Sequence, residues 1–167
     1  MSSIEHKAQA PERARVFVLT VSDSRTDATD ASGQAIIELL LAAGHQVAGK
    51  AIEPDEPLRV AELVRQQATI ADVDAIITTG GTGLSSRDST FEAVDALLDK
   101  RLPGFGELFR MLSYHDIGAA AMLSRACAGT IGEVIVISLP GSEKAVRLAM
   151  TKLVIPELGH LVQQARK

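Results

Sequence analysis

Apolar residues fall into four short runs, and the first is a nearly continuous row of strand-forming side chains at residues 14–21. Such a row is typical of a strand that is buried on both faces, as in a parallel sheet. Similar runs predict three more strands, at residues 46–52, 73–78 and 133–139.

Stretches with helical spacing of apolar residues alternate with these strands. We predict helices at residues 34–43, 57–70, 90–98, 104–111 and 118–127, followed by a C-terminal helix with a kink or break at Pro156. Gly44 suits the left-handed end of the first helix, Pro57 the first turn of the second, and Ser89 the cap of the third. The alternation predicts an α/β fold with a mostly parallel sheet.

Composition indicates one globular domain. Hydrophobic residues make up 46% and charged residues 23% of the 167 positions, which is ordinary usage for a domain of this length. We assign residues 14–167 to this domain and the polar residues 1–13 to a flexible tail. Because aromatic residues amount to only 3%, Ala, Val, Ile and Leu must fill the core.

Charge and cysteine content exclude several classes of function. Seventeen basic and 21 acidic residues give a net charge of -4, without the basic face that nucleic-acid binding requires. We find no apolar run typical of a signal peptide or a membrane span, so we expect a cytoplasmic protein without membrane contact. The single cysteine, Cys127, is expected to be a small core residue in the Ala-rich helix at residues 118–127. The four histidines lack the spacing of a zinc site.

Four polar loops follow the predicted strands, at residues 22–25, 54–56, 79–88 and 140–144. The carboxyl ends of parallel strands lie at one edge of the sheet, where ligands of open α/β proteins bind. We therefore expect one site there, with binding residues that include Ser22, Asp23, Gly141, Ser142 and Lys144. Ser142 is also an ordinary helix cap, whereas a lysine in the first turn opposes the helix dipole and indicates a nearby anion.

The third of these loops is the most informative, because three of its glycines stand within four positions. Glycine permits positive φ and lets backbone N–H groups converge on an anion. The candidate binding residues of this loop are Thr79, Gly80, Gly81, Thr82, Gly83, Ser85 and Arg87. The loop matches neither a Walker A loop nor Gly-x-Gly-x-x-Gly. The glycines alone fit a tight turn equally well, but the hydroxyls and the Arg-Asp step favour a phosphate or pyrophosphate site.

Two aspartates, Asp55 and Asp88, follow different strands and can face the same crevice. A carboxylate repels a polyphosphate unless a cation bridges them, and Mg2+ binds one or two carboxylates together with phosphates and waters. Taken singly, Asp55 is as well explained as a turn residue and Asp88 as a helix cap. Together they favour a site for Mg2+ and phosphate, in which both are the metal ligands and the catalytic residues.

Five segments taken in order resemble the MoaB/MogA family of molybdenum cofactor proteins. They are residues 20–24, 78–88, 103–110, 123–125 and 139–142, and the stretch at residues 110–118 is more similar to the MoaB branch. The resemblance covers about residue 13 to the C-terminus. It implies a three-layer α/β/α sandwich, usually assembled as a homotrimer or a hexamer made from trimers.

The resemblance also implies an activity. Active members of that family adenylylate molybdopterin: its terminal phosphate attacks the α-phosphate of Mg-ATP, and pyrophosphate is released. Asp55 and Asp88 match the two acidic positions that distinguish active members. The product is the substrate of metal insertion, which implies transient contact with a molybdenum-insertion protein.

Two alternatives stay open at this point. One is a non-catalytic member that binds pterin and a nucleotide, GTP included, as a carrier or assembly partner in the same pathway. The other is a generic phosphate-binding α/β domain of a different pathway. The preference between ATP and GTP, and between trimer and hexamer, is not visible in the sequence.

Overall fold

The computed structural model describes residues 10–167. Residues 1–9 of the predicted N-terminal tail lie outside the described residues, and residues 10–13 have no regular secondary structure. None of the helices in the described part of the chain has the length and hydrophobicity that crossing a bilayer requires.

A six-stranded mixed sheet forms the centre of the fold, with the strand order β2-β1-β3-β6-β5-β4. The strands are β1 Arg15–Val21, β2 Gln46–Glu53, β3 Ala75–Thr79, β4 Lys100–Arg101, β5 Cys127–Ile131 and β6 Val134–Leu139. The four strands predicted from the apolar runs, β1, β2, β3 and β6, form a parallel block. The two strands that the sequence analysis missed, β4 and β5, extend the sheet in antiparallel pairing.

Helices cover both faces of this sheet, as the three-layer prediction required. They are α1 Ala31–Ala42, α2 Pro57–Ala68, α3 Thr90–Asp95, α4 Pro103–Ile117, α5 Glu143–Ala149 and α6 Ile155–Ala165. Helices α2 and α3 pack on one face through residues such as Val64 and Val94. Helices α1, α4, α5 and α6 pack on the other, with Phe109 at 0% exposure among the largest buried side chains.

The first helix begins three residues earlier than predicted. Asp30 caps it, because its Oδ1 accepts a hydrogen bond from the Gly33 N–H at 2.9 Å. The predicted left-handed position at Gly44 is confirmed by its φ of 84°.

The prediction of an Ala-rich helix at residues 118–127 is wrong. Only Gly118–Leu123 is helical, as a short 3₁₀ segment, and Cys127 begins strand β5. Alanine favours helices locally, but pairing of β5 with β6 around the turn at Gly132 outweighs that weak preference. The thiol of Cys127 is partly buried, and burial raises its pKa to about 12.

The predicted irregularity at Pro156 is present as a π-helical turn. Helices α5 and α6 are joined by Met150–Val154, which has π-helical hydrogen bonding, and Pro156 lies in the first turn of α6. Proline has no N–H and its ring crowds the preceding turn, so a locally wider helix accommodates it without a break.

Candidate functional site

The four polar loops meet at the carboxyl edge of the parallel strands, as predicted. The N–H of Asp55 donates to Asp23 Oδ1 at 3.1 Å, which joins the first two loops. The Thr79 hydroxyl donates to the carbonyl of Pro140 at 2.8 Å, which joins the last two. Gly141 packs against this junction, since a Cβ there would lie 3.2 Å from the Cα of Gly80.

A cavity of about 410 Å3 opens beside these loops. Its lining comprises Thr82, Gly83, Ser113, Asp116, Ile117, Ala120, Leu123, Ser124, Pro140, Gly141, Ser142, Lys144, Ala145 and Leu148. Five of the predicted binding residues are therefore brought to one cavity: Thr82, Gly83, Gly141, Ser142 and Lys144. The mixture of apolar walls and a few polar groups is typical of small-molecule sites.

The glycine loop carries a row of unused backbone donors. Gly80 and Gly81 have φ values of 99° and 67°, a conformation that glycine adopts without strain. No residue between 10 and 167 accepts a hydrogen bond from the N–H groups of Gly81, Thr82, Gly83 and Leu84. Successive N–H groups without acceptors can converge on an anion, and two of these residues, Thr82 and Gly83, line the cavity.

Asp55 lies behind this loop and is 6% exposed. Its Oδ1 accepts hydrogen bonds from the hydroxyls of Ser89 at 2.8 Å and Thr90 at 3.1 Å, at the start of α3. Ser89 occupies the predicted cap position but does not cap α3 through its side chain, because its hydroxyl binds Asp55 instead. A Cβ at Gly81 would come within 2.6 Å of Asp55 Oδ2, so only glycine permits this approach.

Asp88 lies against the same loop at Gly83. Its Oδ2 accepts from the Ser85 N–H at 3.1 Å and from the Ser85 hydroxyl at 2.5 Å. A Cβ at Gly83 would be 2.6 Å from Asp88 Oδ2. The loop therefore holds the two aspartates against two of its glycines, and an anion at its N–H groups would lie close to negative charge.

Asp23 and Arg87 bind each other across the crevice. Arg87 donates through Nε and Nη2 to the two carboxylate oxygens of Asp23, both at 2.7 Å. This pairing, and then the hydrogen bond from the Asp55 N–H, lowers the pKa of Asp23 to about 2. The pair ties the loop after β1 to the glycine loop.

The remaining predicted residues have structural partners. The Ser22 hydroxyl accepts from the N–H groups of Ser24 and Arg25, which makes it a turn residue outside the cavity. The Ser142 hydroxyl accepts from the Ala145 N–H at 3.2 Å and caps α5, as its ordinary interpretation predicted.

Several site residues were missed by the sequence analysis. Ser113 lines the cavity at 4% exposure, and its hydroxyl has no partner in the described part of the chain. Asp116 and Ser124 line the same cavity. Ser113 and Asp116 were missed because the predicted helix ended at residue 111, whereas α4 continues to Ile117. Ser124 belongs to the motif at residues 123–125, to which the sequence analysis assigned no function.

Asp55 and Asp88 are the candidate metal ligands of this site. Within residues 10–167 no group of three or more His, Cys, Asp or Glu side chains can hold a metal ion. Mg2+ needs only one or two carboxylates with phosphates and waters. Oδ1 of Asp88 receives no hydrogen bond from the described residues, and Asp55 Oδ2 receives one, from the Ser89 N–H at 3.3 Å. Carboxylate oxygens that can accept a further ligand are the kind that Mg2+ binds together with phosphates, but neither aspartate is among the residues that line the cavity.

Fold and site together define an α/β/α protein that offers a glycine loop and an adjoining cavity to a small anionic ligand. The family described as "Probable molybdopterin binding domain" matches residues 17–160. Molybdenum cofactor biosynthesis protein B of Bacillus cereus is 55% identical over 162 residues, which cover 96% of each chain.

Solved structures agree with this result. A crystal structure of a molybdenum cofactor biosynthesis protein B superposes with a TM-score of 0.91 at 53% identity, covering 95% of this chain and 99% of the other. The tungsten cofactor synthesizing protein MoaB from Pyrococcus furiosus gives a TM-score of 0.84 at 37% identity, covering 95% and 100%. The chain belongs to the molybdopterin-binding family of molybdenum cofactor biosynthesis, and the resemblance to its MoaB members is confirmed.

Proposed function

We propose that this protein binds molybdopterin and Mg-ATP and transfers the adenylyl group to molybdopterin, with release of pyrophosphate. The observation that carries this proposal is the row of four N–H groups without acceptors, from Gly81 to Leu84, beside a cavity of about 410 Å3. Fixed N–H donors stabilise the charge of phosphate oxygens without the reorganisation that water requires.

The cavity has the chemistry that a pterin requires. Ile117, Leu123 and Leu148 supply apolar wall for a flat ring, and the hydroxyls of Ser113 and Ser124 offer hydrogen bonds to its polar edge. The Ser113 hydroxyl supports this assignment, because it lies on the cavity wall and can donate to a ligand there. Lys144 adds a positive charge for the phosphate.

Adenylyl transfer needs positioning and charge stabilisation more than covalent help from the protein. An oxygen of the molybdopterin phosphate forms the new bond to the α-phosphorus of ATP. The bond from that phosphorus to the bridging oxygen breaks, and its electrons leave with pyrophosphate. The loop N–H groups hold phosphate oxygens, and Asp88 and Asp55 would hold Mg2+. When bound, Mg2+ neutralises the charge on the phosphates.

One observation favours the alternative of a non-catalytic binding protein. The Asp55 carboxylate is nearly enclosed and accepts hydrogen bonds from Ser89 and Thr90 at the start of α3. A carboxylate with these partners also serves as a purely structural anchor for the glycine loop. The two functions differ in whether removal of the charge affects turnover or only folding.

The test follows pyrophosphate release from purified protein with molybdopterin, Mg2+ and ATP, with parallel reactions that contain GTP or lack Mg2+. Asp55→Asn and Asp88→Asn remove one negative charge each with little change of shape. Asp72→Asn is the matched control, because the Asp72 side chain is 83% exposed and pairs with Arg15 at the opposite edge of the sheet.

Mg2+-dependent turnover that both site variants abolish while denaturant unfolding shows that they still fold, and that Asp72→Asn retains, supports the transferase. Pyrophosphate formed equally well by the site variants would remove Asp55 and Asp88 from the mechanism. Molybdopterin binding without turnover selects the binding protein. Absence of both binding and turnover would contradict both functions.

A further inference from the structure

The side chain of Arg125 lies against the glycine loop and is 22% exposed. Its Nε donates to the carbonyl of Thr82 at 2.8 Å, and its Nη2 donates to the carbonyl of Gly83 at 2.6 Å. One guanidinium thus holds two consecutive peptide groups of the loop. The sequence analysis gave this residue no role.

The geometry of the peptide bond gives these two contacts a consequence. In a planar trans peptide the C=O and the following N–H point in opposite directions. Since the carbonyls of Thr82 and Gly83 point at Arg125, the N–H groups of Gly83 and Leu84 point away from it. These are two of the four donors that have no acceptor in the described chain.

Arg125 is itself fixed in place. Its Nη1 donates to the carboxylate of Glu92 in α3, and its guanidinium carbon lies 4.7 Å from the centre of the Phe91 ring. All three guanidinium nitrogens therefore already donate within the protein, and the arginine is not arranged as a direct ligand of an anion. A lysine has a single nitrogen and cannot reproduce this fork.

We propose that Arg125 is a positioning residue: by holding the carbonyls of Thr82 and Gly83, it presents the N–H groups of Gly83 and Leu84 to the phosphates of the ligand. The inference rests on the proposed function as far as the ligand is concerned. The orientation and order of the loop in the ligand-free protein do not depend on that function.

The test compares the wild type with Arg125→Lys. The {1H}-15N heteronuclear NOE of the Gly83 and Leu84 amides reports the fast motion of the loop without any ligand. Titration with inorganic pyrophosphate, followed by calorimetry, reports anion binding. Denaturant unfolding reports global stability. Arg101→Lys is the matched control, since Arg101 Nε and Nη2 also donate to a carboxylate and a carbonyl, both of Asp95, away from the loop.

We expect Arg125→Lys to lower the NOE of both amides and to raise the pyrophosphate Kd by at least about tenfold, because two fixed donors are lost. Arg101→Lys should leave the NOE and the Kd unchanged. If Arg125→Lys reduces only the free energy of unfolding, with loop order and Kd as in the wild type, Arg125 is merely structural and the inference is wrong.

The experiment distinguishes failure of the proposed function from failure of the positioning role of Arg125. Wild-type protein that does not bind pyrophosphate contradicts the assignment of the loop to phosphate binding. In that case the NOE comparison still decides whether Arg125 orders the loop, because it requires no ligand.

Discussion

The backbone of Gly81 lies so close to the side chains of Asp55 and Thr90 that there is no room for a Cβ. The residue has a φ of 67°, and an added Cβ would meet Asp55 Oδ2 at 2.6 Å and the hydroxyl of Thr90. Gly132 has a similar φ of 55°, but nothing lies within 4 Å of its Cβ position. Comparing these two glycines separates the effect of backbone strain from the effect of crowding.

We expect Gly132→Ala to lower the free energy of unfolding by about 1 kcal/mol, which is the cost of a left-handed backbone for a residue with a Cβ. Gly81→Ala should lower it by at least about twice as much, since it adds overlap with fixed groups. Denaturant unfolding of both variants gives the comparison. Equal losses would show that Asp55 and Thr90 move aside without resistance.

His45 is a second residue whose surroundings determine its properties, here the protonation of its imidazole ring. It is 8% exposed, and its Nδ1 accepts a hydrogen bond from the Ala14 N–H at 3.1 Å, which requires a neutral ring. Burial lowers its pKa from the ordinary 6.5. Glu12 and His160 line the same shallow cavity beside it.

The lowered pKa predicts a loss of stability in mild acid. Folding disfavours protonation of the His45 ring, so the protein is more stable when this ring is neutral in both the folded and the unfolded state. That stabilisation is complete above about pH 6.5, and it is lost as the pH falls from there through the lower pKa of the folded state. We expect the free energy of unfolding to fall between about pH 7 and 5. In His45→Gln this decline should be smaller, whereas the exposed control His115→Gln should retain it. An unchanged decline in His45→Gln would assign it to other groups.

At the scale of an element, the connection from β1 to α1 depends on a buried carboxylate. Asp30 is fully buried, accepts from the Thr20 hydroxyl at 2.7 Å and pairs with Lys50 at 3.0 Å. Burial opposes its charge, but the hydrogen bonds from Thr20, the Gly33 N–H and Lys50 outweigh it and lower its pKa. The start of α1 and the end of β1 are therefore held by one side chain.

The same lysine offers a matched comparison, because Asp27 also pairs with Lys50, at 3.2 Å, and its side chain is 91% exposed. Asp30→Asn should lower the free energy of unfolding by about 3 kcal/mol, since it removes one member of a buried ion pair. Asp27→Asn should change it by less than about 1 kcal/mol. Urea unfolding at neutral pH measures both. Similar losses would contradict a special role for the buried cap.

At the scale of the whole molecule, helix α4 presents an apolar surface. Leu108, Met111 and Tyr114 on this helix are 47%, 50% and 59% exposed. These three residues are spaced three apart, so they lie along one side of the helix, and contiguous exposed apolar surface marks sites of association. The resemblance to the MoaB/MogA family implied a homotrimer or a hexamer, and in such an assembly we expect α4 to lie in the contact between copies of this chain.

We expect light scattering after size exclusion to give a mass that is a multiple of the 17.7 kDa chain. Met111→Glu should reduce that mass, because a charge in an apolar contact is unfavourable. Leu58→Glu on α2, where the leucine is 84% exposed, is the control and should not change it. A monomeric wild type contradicts this expectation, and an oligomer that Met111→Glu leaves intact places the interface elsewhere.

The parallel half of the fold was predictable because its signals are local. Continuous apolar runs mark β1, β3 and β6, and Gly44 and Pro57 mark helix ends through their own backbone geometry. Strand β5 carried no such signal. Its Ala and Gly residues form a strand only because β6 lies beside them, so the sequence favoured a helix there.

By itself, the sequence determined that four polar loops meet at one sheet edge and that a glycine loop lies among them, since the alternation of strands and helices and the spacing of the glycines are enough for that. Only the tertiary structure decided which polar groups are left over. The Asp55 carboxylate accepts hydrogen bonds from the start of α3, and Arg87 donates to Asp23. Arg125 donates to carbonyls of the glycine loop. The partner of a side chain depends on residues distant in the sequence, so the unused N–H groups and the Ser113 hydroxyl are visible only in the folded chain.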